Sequence, residues 1–188
     1  MLKQWLAALG LLLLCFVPFD AGQAAQDEET YSKEEIAGEI ESFFSETSQG
    51  LGRVLEKAFS EMGRPVGYIF GTEGGGAAVV GLRYGEGLLR LKSGPERTVY
   101  WQGPSLGYDF GGNAAKVFTL VYGLTGIEAI FQRYPGLEGS AYFVGGFSMN
   151  YHRRDGVTLV PIRSGVGFRL GANLGYLHFS RVKRINPF

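Results

Sequence analysis

Hydrophobic positions follow three different rules along this chain. An unbroken apolar run, "LAALGLLLLCFV", fills positions 6 to 17. Next comes a stretch in which Ile36, Ile40, Phe43, Phe44, Thr47, Leu51, Val54, Leu55, Ala58, Phe59 and Met62 recur at spacings of three and four, so one face of a helix is apolar. The spacing predicts one helix from Lys33 to Met62. Ser32 and Glu35 open it as a capping box, Gly50 and Gly52 weaken its middle, and "GRP" at Gly63 to Pro65 closes it. Its polar face is rich in Glu and poor in Lys and Arg, which suits packing on a sheet better than contact with anionic lipid.

From Val66 onward the pattern changes to short aromatic and β-branched runs broken by glycine, as in many short antiparallel strands. Strands are expected near 66 to 70, 77 to 84, 88 to 92, 97 to 102, 106 to 110, 116 to 122, 140 to 152, 157 to 162 and 165 to 179. In the last, "GVGFRLGANLGYLHF", apolar side chains alternate with glycine and polar ones. Asp155 and Gly156 suit a two-residue hairpin turn that needs positive φ. "TGIEAIFQRY" from Thr125, with Glu128 three residues on, predicts a short capped helix closed by Pro135 and Gly136.

Such strands could build an outer-membrane barrel or one that lives in water. A membrane barrel needs at least eight spans of about 10 residues, each with a clean dyad repeat. "AAVVGL" and "VFTLVYGL" are instead apolar on both faces, and Arg181, Arg184 and Pro187 occupy the place of an apolar closing strand. The fold class expected is therefore mainly β: a small soluble antiparallel β-barrel with an N-terminal amphipathic helix and one short internal helix. Domains follow as a signal peptide at 1–25, a flexible leader at 26–31 and a single barrel domain at 32–188.

The signal peptide is read from Lys3, the apolar run and the small residues of "AGQAA". Twelve apolar residues fall short of the roughly 20 that a spanning helix needs. Export with cleavage after Ala24 or Ala25 leaves about 163 residues, enough for one domain with a real core. The one cysteine, Cys15, lies in the apolar run, and "LLLL" before it lacks the small residue of a lipoprotein site. The exported chain then has no disulfide, thiol nucleophile or Cys-ligated zinc. Eighteen basic residues balance eighteen acidic ones with no basic stripe, which argues against nucleic acid as a partner.

Candidate chemistry is sparse. "GPSLG" at Gly103 to Gly107 matches a nucleophile elbow only formally, since that turn leads from a strand into a helix, so Ser105 is read as a turn residue. His152 and His178 lie on separate strands without ligand spacing, which predicts no metal site. The glycine-rich "GTEGGG" at Gly71 to Gly76 is read as a hairpin turn. Glu86 is read as a bulge residue paired with Arg83 or Arg90. "VYWQGPSLGYDFGGNAAK" stands out, because aromatics on a stiff turn suit a recognition surface. Tyr100, Trp101, Ser105 and Tyr108 are the candidate binding residues, against the alternative that Trp101 and Phe110 fill the barrel.

"GLRYGEG", "VYWQGPSLGYDFGG", "GLEGSAYFVGGF" and "PIRSGVGFRLGANLGYL" together resemble the bacterial envelope integrity family named after EipA, over about residues 30 to 188. The resemblance implies a periplasmic barrel that supports the cell envelope, with no catalytic residues and no cofactor. Its partner would be an envelope protein or a lipid, with no stable insertion into a membrane. "LVYGLTGIEAIFQR" followed by "GSAYFVGG" is similar, over some 30 residues, to the SYLF or Ysc84-like lipid-binding domains, but lacks their glycine spacing and basic patches. That likeness implies the alternative function, lipid binding or handling.

Overall fold

Ser32 caps the first described helix much as its sequence requires. Its Oγ accepts from Glu35 N at 3.2 Å while Glu35 reaches back to Ser32 N at 2.8 Å, opening α1 (Lys33–Phe44). The computed structural model describes residues 29–184 except 47, 78–79, 107–114, 138 and 165–174, with backbone alone at 75–77, 80–81 and 105–106. The single predicted helix is in fact two. Ser45 adopts a left-handed conformation (φ 57°) and donates its N–H to Glu41 O and Ser42 O. Ser48 then caps α2 (Gln49–Met62), its Oγ accepting from Leu51 N at 3.2 Å. Short polar residues that compete for backbone hydrogen bonds break the helix here, before Gly50 and Gly52 are reached.

Among the described residues ten strands follow: β1 (Gly67–Ala77), β2 (Val80–Leu91), β3 (Arg97–Leu106), β4 (Ala115–Tyr122), β5 (Arg133–Pro135), β6 (Tyr142–Val144), β7 (Phe147–Met149), β8 (His152–Arg154), β9 (Val157–Ser164) and β10 (Tyr176–Ser180). They form one antiparallel sheet in the order β5-β10-β3-β2-β1-β4-β9-β7-β6, with β8 on the remaining part of β9. Pro161, which has no N–H to donate, falls at the changeover between β8 and β7. The two ends meet through a bridge between Gly136 and His152 and a 2.9 Å bond from Leu137 N to Tyr151 O, so the sheet curls into a barrel.

Alternation sorts the side chains into two cores. Tyr68, Phe118, Leu120, Phe147, Met149 and Ile162 lie on the outside beneath Ile36, Ile40, Leu51, Val54 and Leu55 of the helices. Ile69, Leu89, Val99, Val121, Leu159, Leu177 and Phe179 face inward. A strand under the helices is thus buried on both faces, and all but the last residue of β9 is. Gly50 lets α2 touch the β6–β7 turn, for a Cβ there would lie 2.7 Å from Gly145 Cα.

Several sequence expectations are corrected. "GTEGGG" makes no hairpin turn, because Gly71 to Gly76 continue β1 in register with β2. The strands expected at 77–84 and 88–92 are one, and Glu86 is not bulged but pairs in register with Thr72 and Tyr100. The strand expected at 140–152 is three short ones, turned at Gly145 and Gly146, both with positive φ. Thr125 caps nothing: a 3-10 helix (Ile127–Ile130) starts after Gly126 without a side-chain cap, the extended Gly126 having displaced the predicted box. The Asp155–Gly156 hairpin is as expected, with φ of 48° and 80°. The strand expected at 106–110 lies outside the described residues beyond Leu106, and so does the part of the strand expected at 165–179 that precedes Gly175.

Candidate functional site

A buried charge network crosses the interior. Glu73, Gly85, Trp101 and Phe179 stand in one row across β1, β2, β3 and β10. Gly85 has no side chain to keep the Trp101 indole away, and a Cβ there would overlap it. The indole therefore lies over β2 and donates Nε1–H to Glu73 Oε2 at 3.2 Å. From the other side Arg163 donates to both Glu73 oxygens, at 2.5 and 3.3 Å, and Arg83 lies 4.0 Å away. Burial alone would raise the Glu73 carboxyl, but Arg163 and Arg83 outweigh it and hold it at about 2.

The network continues toward the seam of the barrel. Arg163 Nη1 donates to Asn150 Oδ1 at 2.9 Å, which leaves Asn150 Nδ2 to donate to His152 Nε2 at 2.7 Å. His152 Nε2 must then accept, so its proton sits on Nδ1 and is donated to Tyr134 O at 3.2 Å. Burial, then the Arg163 charge, lowers the His152 ring to about 3, consistent with a neutral imidazole. Each polar group has a partner, and the chain of bonds ties β3, β1 and β9 to the β8–β5 closure. Chemically it is a clamp, with its carboxylate and its imidazole both committed.

The outside of β1, β2, β3 and β10 carries a different feature. A cleft of about 150 Å³ opens there, with Tyr84, Glu86, Tyr100, Gln102, Lys183 and Arg184 on its walls. Glu86 and Lys183 face each other at 3.9 Å, both exposed, a pairing worth little in water. Beside it, Arg133 lies 4.8 Å from the Tyr176 ring, and burial followed by Arg133 and Arg184 holds His178 below the usual histidine range. Among the described residues no group of His, Cys, Asp and Glu is placed to hold a metal.

The family model for envelope integrity protein A (EipA) matches residues 29–188. The chain belongs to this envelope integrity family. A solved structure, a β-barrel-like, uncharacterized protein from Brucella abortus, is 48% identical, covers 85% of this chain and 99% of its own, and superposes with a TM-score of 0.78. No curated protein matches. For a family named by envelope integrity, these comparisons bring the barrel and the envelope role and no site residues.

The residues expected to form a contact surface are divided by the structure. Tyr100 is half-exposed on the cleft wall. Trp101 is 4% exposed, and its ring is part of the interior, so as a surface anchor it is corrected to a core residue. The stiff turn expected from Trp101 is absent as far as Leu106: Gly103 to Leu106 continue β3, paired with Val80 to Arg83. Ser105 therefore sits in a strand with no elbow geometry; its side chain, like all of Tyr108, lies outside the described residues. Glu86 pairs with Lys183 rather than with Arg83 or Arg90, because Arg83 turns inward to Glu73 and Arg90 holds Glu96 at 2.5 Å.

The network of Glu73, Arg163, Asn150 and His152 went unseen in the sequence, where His152 was weighed only as a metal ligand. One signal was present: "VTLVPIRS" is apolar on both faces except for a single arginine, and a buried cation demands a buried anion.

Proposed function

We propose that the chain is exported, loses residues 1–25, and supports the envelope from the periplasm without catalysing a reaction, by holding a partner on the outer face of β2, β3 and β10. The observation that carries this reading is an interior that is filled among the described residues. A lipid carrier needs an apolar hollow, whereas here Trp101, Phe179, Tyr134 and Leu89 are all buried and the middle is occupied by the Glu73–Arg163 pair. The accessible concavity lies outside, walled by tyrosines and charges. Those side chains also argue for a water-facing barrel, since a lipid-facing strand puts apolar residues outward. Among the described residues no helix is long and apolar enough to cross a membrane.

A photo-crosslinking amino acid placed at Tyr100 in living cells tests the reading. Under it, position 100 gives a discrete adduct with an envelope component and the exposed Glu34 position on α1 gives none. Equal labelling at both, or none at 100, contradicts it.

A further inference from the structure

The cleft has a chemistry more specific than "partner". Tyr84 and Tyr100 project from the same face of neighbouring strands, in the diagonal relation set by the pairs Tyr84 with Gln102 and Glu86 with Tyr100. Two rings with polar tips are joined in the lining by the hydroxyls of Thr72 and Ser180. Ser180 Oγ donates its proton to Val182 O at 2.8 Å, so toward a ligand it can act as an acceptor. Flat apolar faces with hydroxyls and charged groups around them suit the face and the edge of a sugar ring. They do not suit an acyl chain.

Size points the same way. At about 150 Å³ the cleft is well below the roughly 300 Å³ at which pockets for whole small molecules begin. It has room for one ring of a longer chain that continues over the surface. Charge narrows the class further. Glu86 is matched by Lys183, and Arg184 stands on the wall as a second cation. His178 Nδ1 is buried and has no hydrogen-bond partner among the described residues. Among the described residues that line the cleft, Glu86 stands against Lys183 and Arg184, so positive charge exceeds negative there and an anionic group would be favoured.

We propose that the cleft is a binding site for an acidic saccharide, one ring resting on Tyr84 and Tyr100 and its carboxylate or phosphate directed to Arg184. This rests on the outer face being the working surface, and it names what that surface holds.

Titration of the 15N-labelled chain without residues 1–25, followed by NMR, tests it with trigalacturonic acid, glucosamine 6-phosphate, neutral maltotriose and inorganic phosphate as probes. The expected result is saturable shifts at β2, β3 and β10 with at least one acidic sugar, and much weaker ones with maltotriose or phosphate. Tyr100→Ala and the exposed Arg184→Gln each weaken binding about tenfold, as loss of one charge-assisted or stacking contact would, with melting temperatures unchanged. The two acidic probes distinguish a carboxylate from a phosphate as the recognised group. No binding of either overturns the proposal, as does equal binding of maltotriose, equal binding of phosphate alone, or full affinity in Arg184→Gln. A position-100 adduct with a protein, in a chain that binds no acidic sugar, leaves the outer-face reading standing and removes only the saccharide.

Discussion

Arg163 Nε on β9 lies 2.5 Å from Glu73 Oε1 on β1, inside the barrel and across the intervening strand β4. Two charges that are 5% and 3% exposed survive there because each completes the other's hydrogen bonds. Glu73→Ala leaves the Arg163 cation buried with no anion, at an expected cost of about 3–5 kcal/mol. Urea unfolding measures it. Pairing Glu73→Leu with Arg163→Met should recover much of the loss, because a well-packed apolar pair can replace a buried ion pair; a single variant with wild-type stability would show that the pair is not formed.

Acid should weaken the fold in two windows. Glu73 and His152, the two buried groups of the network, have folded values below their ordinary ones, so both bind protons more readily unfolded, and stability falls as pH falls. His152, ordinarily 6.5 and lowered to about 3, acts between those values. Glu73, ordinarily 4.5 and lowered to about 2, acts lower down. Chemical denaturation at a series of pH values should show a decline beginning near 6.5, and His152→Gln should flatten the part above 4.5. A stability that rises from pH 6.5 to 4.5 would contradict the buried neutral imidazole.

Gly85→Ala puts a methyl group where the Trp101 indole lies. The ring must leave its row and release Glu73, so the expected loss is about 1–3 kcal/mol for overpacking, with more from the broken bond. Trp101 fluorescence should shift as the ring changes surroundings. An unchanged spectrum and melting curve would mean the indole is not seated on β2.

Helix docking depends on one backbone contact and one apolar stripe. Gly50→Ala pushes α2 off the Gly145 turn, and Phe44→Asp buries a charge beside Phe147, whose ring centroid is 5.3 Å from that of Phe44. Both should lower the melting temperature clearly and speed amide exchange along α2. Wild-type exchange in both would mean the helices are held by something else.

How far the sequence carried depended on whether a residue's neighbours were local. The Ser32–Glu35 cap, the stripe from Ile36 to Ala58, the Asp155–Gly156 hairpin and the doubly buried β4 are set by periodicity or by bonds within four residues, and all were legible. Glu73 was misread as part of a turn because glycines surround it. Yet Gly85 across the strand is there to admit an indole, a reason that exists only once β1, β2 and β3 are in register. Trp101 looked like a surface anchor for the same cause. Tyr100, next to it, was named with Trp101 for one surface, although alternation puts neighbours on opposite faces and the structure turns the Trp101 ring inward.

The claim that the outer face does the work is tested most directly in cells lacking the native chain and carrying Tyr100→Ala, scored for survival under envelope stress such as detergent. Export, level and melting temperature should be normal and sensitivity close to that of cells without the protein, while an Arg53→Ala control on the exposed side of α2 stays resistant. Full resistance in Tyr100→Ala cells would contradict it.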